Sequence, residues 1–404
     1  MEKFELMTRE ESEKLSKLIL ECLCTKEEAK VKSEQILKLF KEYQKVSRLD
    51  FKKTVIMDDG LIILTEALKK NKTISVLELS RNFITKVGAI AFAKGVLFER
   101  NYITKINFAL NKLEDEGVQA ICESLKDNKR LRELNLSLTS FTEQSDPAIA
   151  LAIKEKPLLY KIDLSFNKIG TESPIFESFK SLPVLQELIL NDNPLGDCLN
   201  LYTNLEENTS LKILNLNNCQ ITAESTEPFL KCLSNKKELV ELYLKANQFD
   251  DSLLKGFAEM WKEKENCKIV VLDINHNLIT DDGAIEIIKI FNEKDYIIEM
   301  DLRENEVKYE AQTLLNELKA QQPFLWIKYD PYTATEDELN TRNIAKEKEA
   351  KTKSKESKTK DGKGKEMKGK DGKPSKDAKG KDAKGAKEEK KGSKKEEVKK
   401  PKGK

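Results

Sequence analysis

A chain of 404 residues, 35% charged and 39% apolar, has room for two or three domains or for one long repeat array, and its composition is that of a protein with a large wetted surface. Its net charge of +2 hides a division: residues 346–404 carry 25 lysines against 12 acidic groups (+13), and the rest carries 47 basic against 58 acidic groups (−11). Charges fall where a secretory leader needs an apolar run and no apolar stretch reaches the length of a membrane span. The seven cysteines (22, 24, 122, 198, 219, 232 and 267) form no C-x-x-C, which argues against a disulfide frame or zinc site and for reduced, intracellular thiols.

In chain order, "TREESEKLSKLILECLC" and "TKEEAKVKSEQILKLFKEYQ" come first. Each opens on the T-x-x-E spacing of a capping box (Thr8/Glu11 and Thr25/Glu28), so residues 1–45 are predicted to form a helical N-terminal cap. From Val46 an eleven-residue phrase, L-x-x-L-x-L-x-x-N-x-I, takes over. It starts at Val46, Ile74, Ile103, Leu131, Leu159, Leu185, Leu211, Leu239, Ile269 and Ile297, at separations of 28, 29, 28, 28, 26, 26, 28, 30 and 28 residues. These copies are coils 1 to 10 below. Their regularity marks a repeat array over residues 46–330.

Positions 4 and 6 of each copy alternate with polar residues, as in Leu77 and Leu79, which predicts a short strand pointing them inward. Position 9 holds Asn82, Asn111, Asn167, Asn193, Asn247, Asn277 and Asn305, whose amides both donate and accept and are expected to form a ladder from coil to coil. A helical pattern follows, such as "GVQAICESLKDN", where Val118, Ile121, Cys122 and Leu125 share a face. A strand–helix unit of this size needs its neighbours to bury that face. "QQPFLWIKYDPY" is expected to close the last coil with Phe324, Trp326 and Tyr329. Residues 331–404 read as a linker and a Lys-rich tail, which from Lys346 has almost no apolar residues and is expected to be disordered.

These residues resemble leucine-rich repeats of the ribonuclease-inhibitor-like subfamily, whose long repeats carry a full helix. The resemblance implies an α/β solenoid, a horseshoe of about ten strand–helix repeats with a parallel sheet on the concave face and helices on the convex one. It specifies function poorly, because the family includes inhibitors, GTPase activators, immune sensors and ciliary scaffold proteins.

Several stretches invite a chemical reading. "LDINHNLITDDGA" holds the only histidine, His276, beside Asp281–Asp282–Gly283. It is the ninth copy of the phrase, and "MDDG" (57–60) and "EDEG" (114–117) stand at the same phase, where acidic groups suit a helix N-terminus. Cys219 occupies the ladder slot and reads as a buried thiol. "GKEMKGKD" in the tail nearly matches a phosphate-binding loop but ends in Asp371 and has no strand before it. No catalytic residue, metal or cofactor is expected.

The concave face is where the resemblance places partner binding, with positions 3, 5 and 7 pointing there and position 8 at its edge. Candidate contacts are Glu78, Glu133, Asp163, Phe166, Glu187, Glu241, Tyr243, Asp273, Glu299 and Asp301. On strands about 4.8 Å apart these carboxylates form either one acidic stripe or a merely solvated face. Leu110, Leu138 and Phe166 at position 8 make an apolar row that either anchors a partner or tucks against the next turn. The tail's +13 suits a polyanion such as the acidic tails of tubulin, and the lack of interleaved aromatics argues against nucleic acid. The reading is a non-enzymatic scaffold, cytoplasmic and associated with the cytoskeleton or a ciliary axoneme. The alternatives are activation of a Ran-type GTPase, whose activators carry an acidic rather than basic region after the repeats, and inhibition of a basic protein.

Overall fold

The computed structural model describes residues 2–98, 102–263, 268–291 and 299–332. The linker and Lys-rich tail from residue 333 onward, and Cys267, lie outside them.

Each copy of the phrase forms a three-residue strand: β1 (Arg48–Asp50), β2 (Val76–Glu78), β3 (Lys105–Asn107), β4 (Glu133–Asn135), β5 (Lys161–Asp163), β6 (Glu187–Ile189), β7 (Ile213–Asn215), β8 (Glu241–Tyr243), β9 (Val271–Asp273) and β10 (Glu299–Asp301). An eleventh, β11 (Trp326–Lys328), follows from a partial copy. They form one parallel sheet whose spatial order is the chain order. The register pairs each template position with the same position in the next coil, as in Leu77↔Ile106 and Leu134↔Ile162. The described residues therefore form an α/β solenoid in which each unit packs only on its neighbours.

Positions 4 and 6 fill the core, where Leu77 and Leu79 are fully buried, joined by the inner helix faces. All seven predicted ladder asparagines behave alike. Asn111 accepts from Asn82 N (3.0 Å) and Ile84 N (3.0 Å), and donates to Leu79 O (2.9 Å) and Phe108 O (2.8 Å). One amide thus serves backbone groups of two coils that would otherwise be buried without partners. Cys219 takes the same slot with a weaker contact from its Sγ to Leu190 O (3.4 Å).

A second ladder, unforeseen, runs along the helix N-termini. Asp58, Asp115, Asp197 and Asp251 accept from the backbone N–H of Thr85, Thr142, Thr222 and Thr280 at 2.8, 2.8, 3.0 and 2.7 Å, and each also holds that threonine's hydroxyl. Asp281 does the same for Lys308 N (2.5 Å). The acidic groups of "MDDG", "EDEG" and "TDDG" do cap a helix, but it is the helix of the following coil. Two fully or nearly fully buried lysines, Lys156 and Lys236, reach back to carbonyls ending the helix of the coil before, Leu125 O (3.0 Å) and Leu205 O (2.5 Å), where a cation meets the negative end of the helix dipole.

The ends differ from expectation. The first helix is Glu2–Leu23 and runs straight through Thr8, which therefore does not stand at its N-terminus. The second, Ala29–Glu42, starts after Glu28 without a side-chain cap, and Thr25 Oγ1 instead donates to Cys22 O (2.9 Å) at the exit of the first. Ser12 donates to Arg48 O (2.8 Å) and Ser16 accepts from Asp50 N (2.9 Å), so the first helix satisfies the open edge of β1. At the far end Phe324 and Trp326 stand exposed, while Leu325 and Ile327 are buried. Trp326 takes position 3 of the eleventh strand, and the pleat sends it outward. Tyr329 packs on the core, with its hydroxyl donating to Asn316 (2.6 Å) and Lys319 over its ring at 4.4 Å.

Candidate functional site

The strands set out two rows of side chains on the open face of the sheet. Position 3 reads Arg48, Val76, Lys105, Glu133, Lys161, Glu187, Ile213, Glu241, Val271, Glu299, and the paired register puts each beside the next. Over coils 3 to 6 ammonium groups and carboxylates therefore alternate. Lys105 pairs with Glu133, Lys161 with Glu187 (2.5 Å) and Lys328 with Glu299. The second row adds Asp301, which Arg303 engages at 2.5 Å. The acidic residues lie on one surface, but four of the ten candidates are neutralised there, so the face is of mixed sign rather than one acidic stripe. Lys105 and Lys161 were missed because only the acidic members of position 3 were followed; the same template position would have found them.

Three more of the acidic candidates accept from neutral donors. Glu78 accepts from Asn107 Nδ2 (2.9 Å), Asp163 from Asn135 Nδ2 (2.9 Å), and Glu241 from the Tyr243 hydroxyl (2.8 Å). Burial and that bond to Glu241 push Tyr243 up to about 12, which keeps its hydroxyl a donor. Burial raises Asp273. It would raise Asp301 too, but the Arg303 guanidinium outweighs it and holds Asp301 below the usual carboxylate range. Asp273 and Asp301 are direct register partners, and Asn275 beside them is buried.

Position 8 forms a separate row at the strand exits, and Phe166 belongs to it rather than to the sheet face. All ten of its residues are left-handed, with φ between 49° and 60°. Leu110, Leu138 and Phe166 are 39, 43 and 48% exposed, so the row stands in solvent instead of tucking under the next turn. His276 lies in this row too, exposed, its Nδ1 2.7 Å from Glu304 Oε2 of the next coil. The buried thiols of Cys122, Cys198 and Cys219 are each pushed up to about 12 by burial, far from the thiolate a nucleophile needs. Among the described residues no group of His, Cys, Asp and Glu is placed to hold a metal ion, and no helix is long and apolar enough to cross a membrane.

The Leucine Rich repeat family matches the chain at residues 70–93, 101–122, 207–229 and 265–287. The mouse (Mus musculus) ribonuclease inhibitor is 25% identical over 304 residues, 72% of this chain and 59% of that protein. The mouse NACHT, LRR and PYD domains-containing protein 14 is 25% identical over 256 residues, 63% of this chain and 23% of its own length. RAN GTPase-activating protein 2 of Arabidopsis thaliana is 28% identical over 144 residues, 35% of this chain and 26% of that one. The chain thus spans less than two thirds of each relative. Among solved structures, the mouse RP105/MD-1 complex superposes with a TM-score of 0.45 at 18% identity, covering 70% of this chain and 41% of that one.

Proposed function

Since this chain is a leucine-rich repeat protein of the ribonuclease-inhibitor-like subfamily, and a protein-interaction scaffold in that coarse sense, we propose that it is non-enzymatic and grips one protein partner on the concave face of its sheet while its Lys-rich tail tethers it to an acidic polymer. The observation that supports this most is the open face itself: charged, amide and tyrosine side chains in two registered rows, already paired and so preset in orientation. The polymer we favour is the acidic tail of tubulin, in a microtubule or ciliary axonemal complex, because the tail's charge is high and its aromatics are absent. Microtubule co-sedimentation of the full chain and of residues 1–345 across a salt series tests the tether; equal binding by both forms removes it. Proximity labelling in the native cell, comparing the unchanged chain with Glu133→Lys and Tyr243→Ala, tests the concave grip, and an unchanged set of labelled neighbours rejects it.

A second reading draws on the likeness to RAN GTPase-activating protein 2. Stimulated GTP hydrolysis by a Ran-type GTPase would favour it. The basic rather than acidic segment after the repeats speaks against it.

A further inference from the structure

From coil 1 to coil 6 the rim row reads Lys53, Arg81, Leu110, Leu138, Phe166, Asp192: cationic, then apolar, then anionic. The left-handed conformation these residues share is one that Asn and Asp adopt at little cost and that Leu and Phe adopt only against strain. Coils 6 and 7 place Asp192 and Asn218 there, as the backbone favours. Coils 3 to 5 instead place three large apolar side chains at strained backbone positions and leave them exposed, so neither local conformation nor core packing accounts for them. The row is held in place: Leu110 N, Leu138 N and Phe166 N each donate 2.9 Å to the position-7 carbonyl of the next coil. Asp192 is fixed by Asn191 Nδ2 and Asn218 Nδ2, both at 2.7 Å.

We propose that this row is the seat of an amphipathic α-helix of the partner, laid along the rim with acidic residues over Lys53 and Arg81 and a basic residue over Asp192. The spacing favours a helix. Coils stand about 4.8 Å apart, so Leu110 to Phe166 spans about 10 Å. Helix residues i, i+3 or i+4, and i+7 cover about 10.5 Å at 1.5 Å per residue. An extended segment places same-side residues about 6.8 Å apart and falls out of step after one coil. Arg81 to Asp192 is about 19 Å by the same spacing, or about thirteen helical residues between the two charged contacts. A second copy of this chain fits less well. Reversing its row to match the charged ends sets Lys112 against Lys168, the exposed neighbours two residues past Leu110 and Phe166, and running it parallel sets Arg81 against Arg81.

This inference rests on the scaffold reading and adds the rim as a contact apart from the sheet face. The test uses the full chain and two fluorescent stapled helices of equal composition, both with Glu at one end and Lys at the other. One carries leucines at i, i+3 and i+7; the other spreads them around the barrel. The ridged helix should bind at least tenfold tighter by anisotropy. Leu110→Asn, Leu138→Asn and Phe166→Asn together should abolish that preference while the melting temperature holds or rises, since Asn suits the left-handed backbone. Arg81→Glu should shift the preference to a ridged helix with Lys at both ends. Equal binding of the two helices, no binding of either, or a triple variant that binds unchanged overturns the proposal. So does row-dependent self-association in sedimentation velocity, which would make a second copy the occupant. The concave-face variants leave the rim intact, so the scaffold reading can survive the failure of this one.

Discussion

Asp146 begins the helix Asp146–Ile153 and is almost fully buried, with one carboxylate oxygen lacking a hydrogen-bond partner among the described residues. Burial pushes its pKa up from 3.8 to about 6, against the opposing bond from Ser173. The folded state therefore holds this proton more tightly than the unfolded chain, and the stability it contributes is present below about pH 4 and lost as pH rises through about 6. Asp146→Asn should raise stability by about 2–3 kcal/mol at pH 7.5 and by almost nothing at pH 3.5, measured by urea denaturation at both values. The thiols give a second expectation at this scale. Of the six described cysteines, only Cys24 is exposed and Cys22 partly so, and the other four are buried. A native-state thiol titration should label Cys24 quickly and Cys22 more slowly, and reach the buried four only after denaturant is added. The ladder asparagines were legible in the sequence because one period fixes both the amide and the backbone groups it serves. The exposure of Leu110, Leu138 and Phe166 was not, because a repeat pattern places a residue on a rim without saying what covers it.

Helix starts are the elements where sequence reading went astray. T-x-x-E describes a purely local exchange of hydrogen bonds, and here the local threonine cap is backed by a carboxylate of the coil before: Thr142 Oγ1 accepts from Gln144 N (3.3 Å), while Asp115 receives Thr142 N, Thr142 Oγ1 and Ser145 Oγ, 27 to 30 residues away. Burial would raise Asp115, but those donors outweigh it and hold the carboxyl below its usual range, so the contribution is present above about pH 4 and lost in acid. Asp115→Ala should cost about 1–2 kcal/mol at pH 7 in a chemical melt, the size of a lost helix cap, and the loss should shrink towards pH 3. At the C-terminal end the eleventh strand was hidden because its phrase breaks off after Tyr329, and aromatics drew attention away from Leu325 and Ile327, which the pleat turns inward.

At the scale of the molecule the parallel sheet was legible from the ten starts alone, and the mixed sign of its open face was not. That sign depends on which side chains meet across a register, and the register is a property of the stack. Because each coil contacts only its neighbours, damage should stay local. Ile327→Asp puts a charge under the last coil, and hydrogen exchange should rise in β10, β11 and the helix Tyr309–Gln321 while β1 to β5 keep their protection. Uniform loss of protection would mean the array unfolds as one unit. The strictly sequential strand order has one more consequence. No strand inserts between two others, so duplicating or excising a unit of about 28 residues leaves every other pairing intact and only lengthens or shortens the surface on offer. Such a lineage can grow a longer grip by unequal recombination without re-solving its fold, provided the helical pair at the front and the half-coil at the back are carried along unchanged.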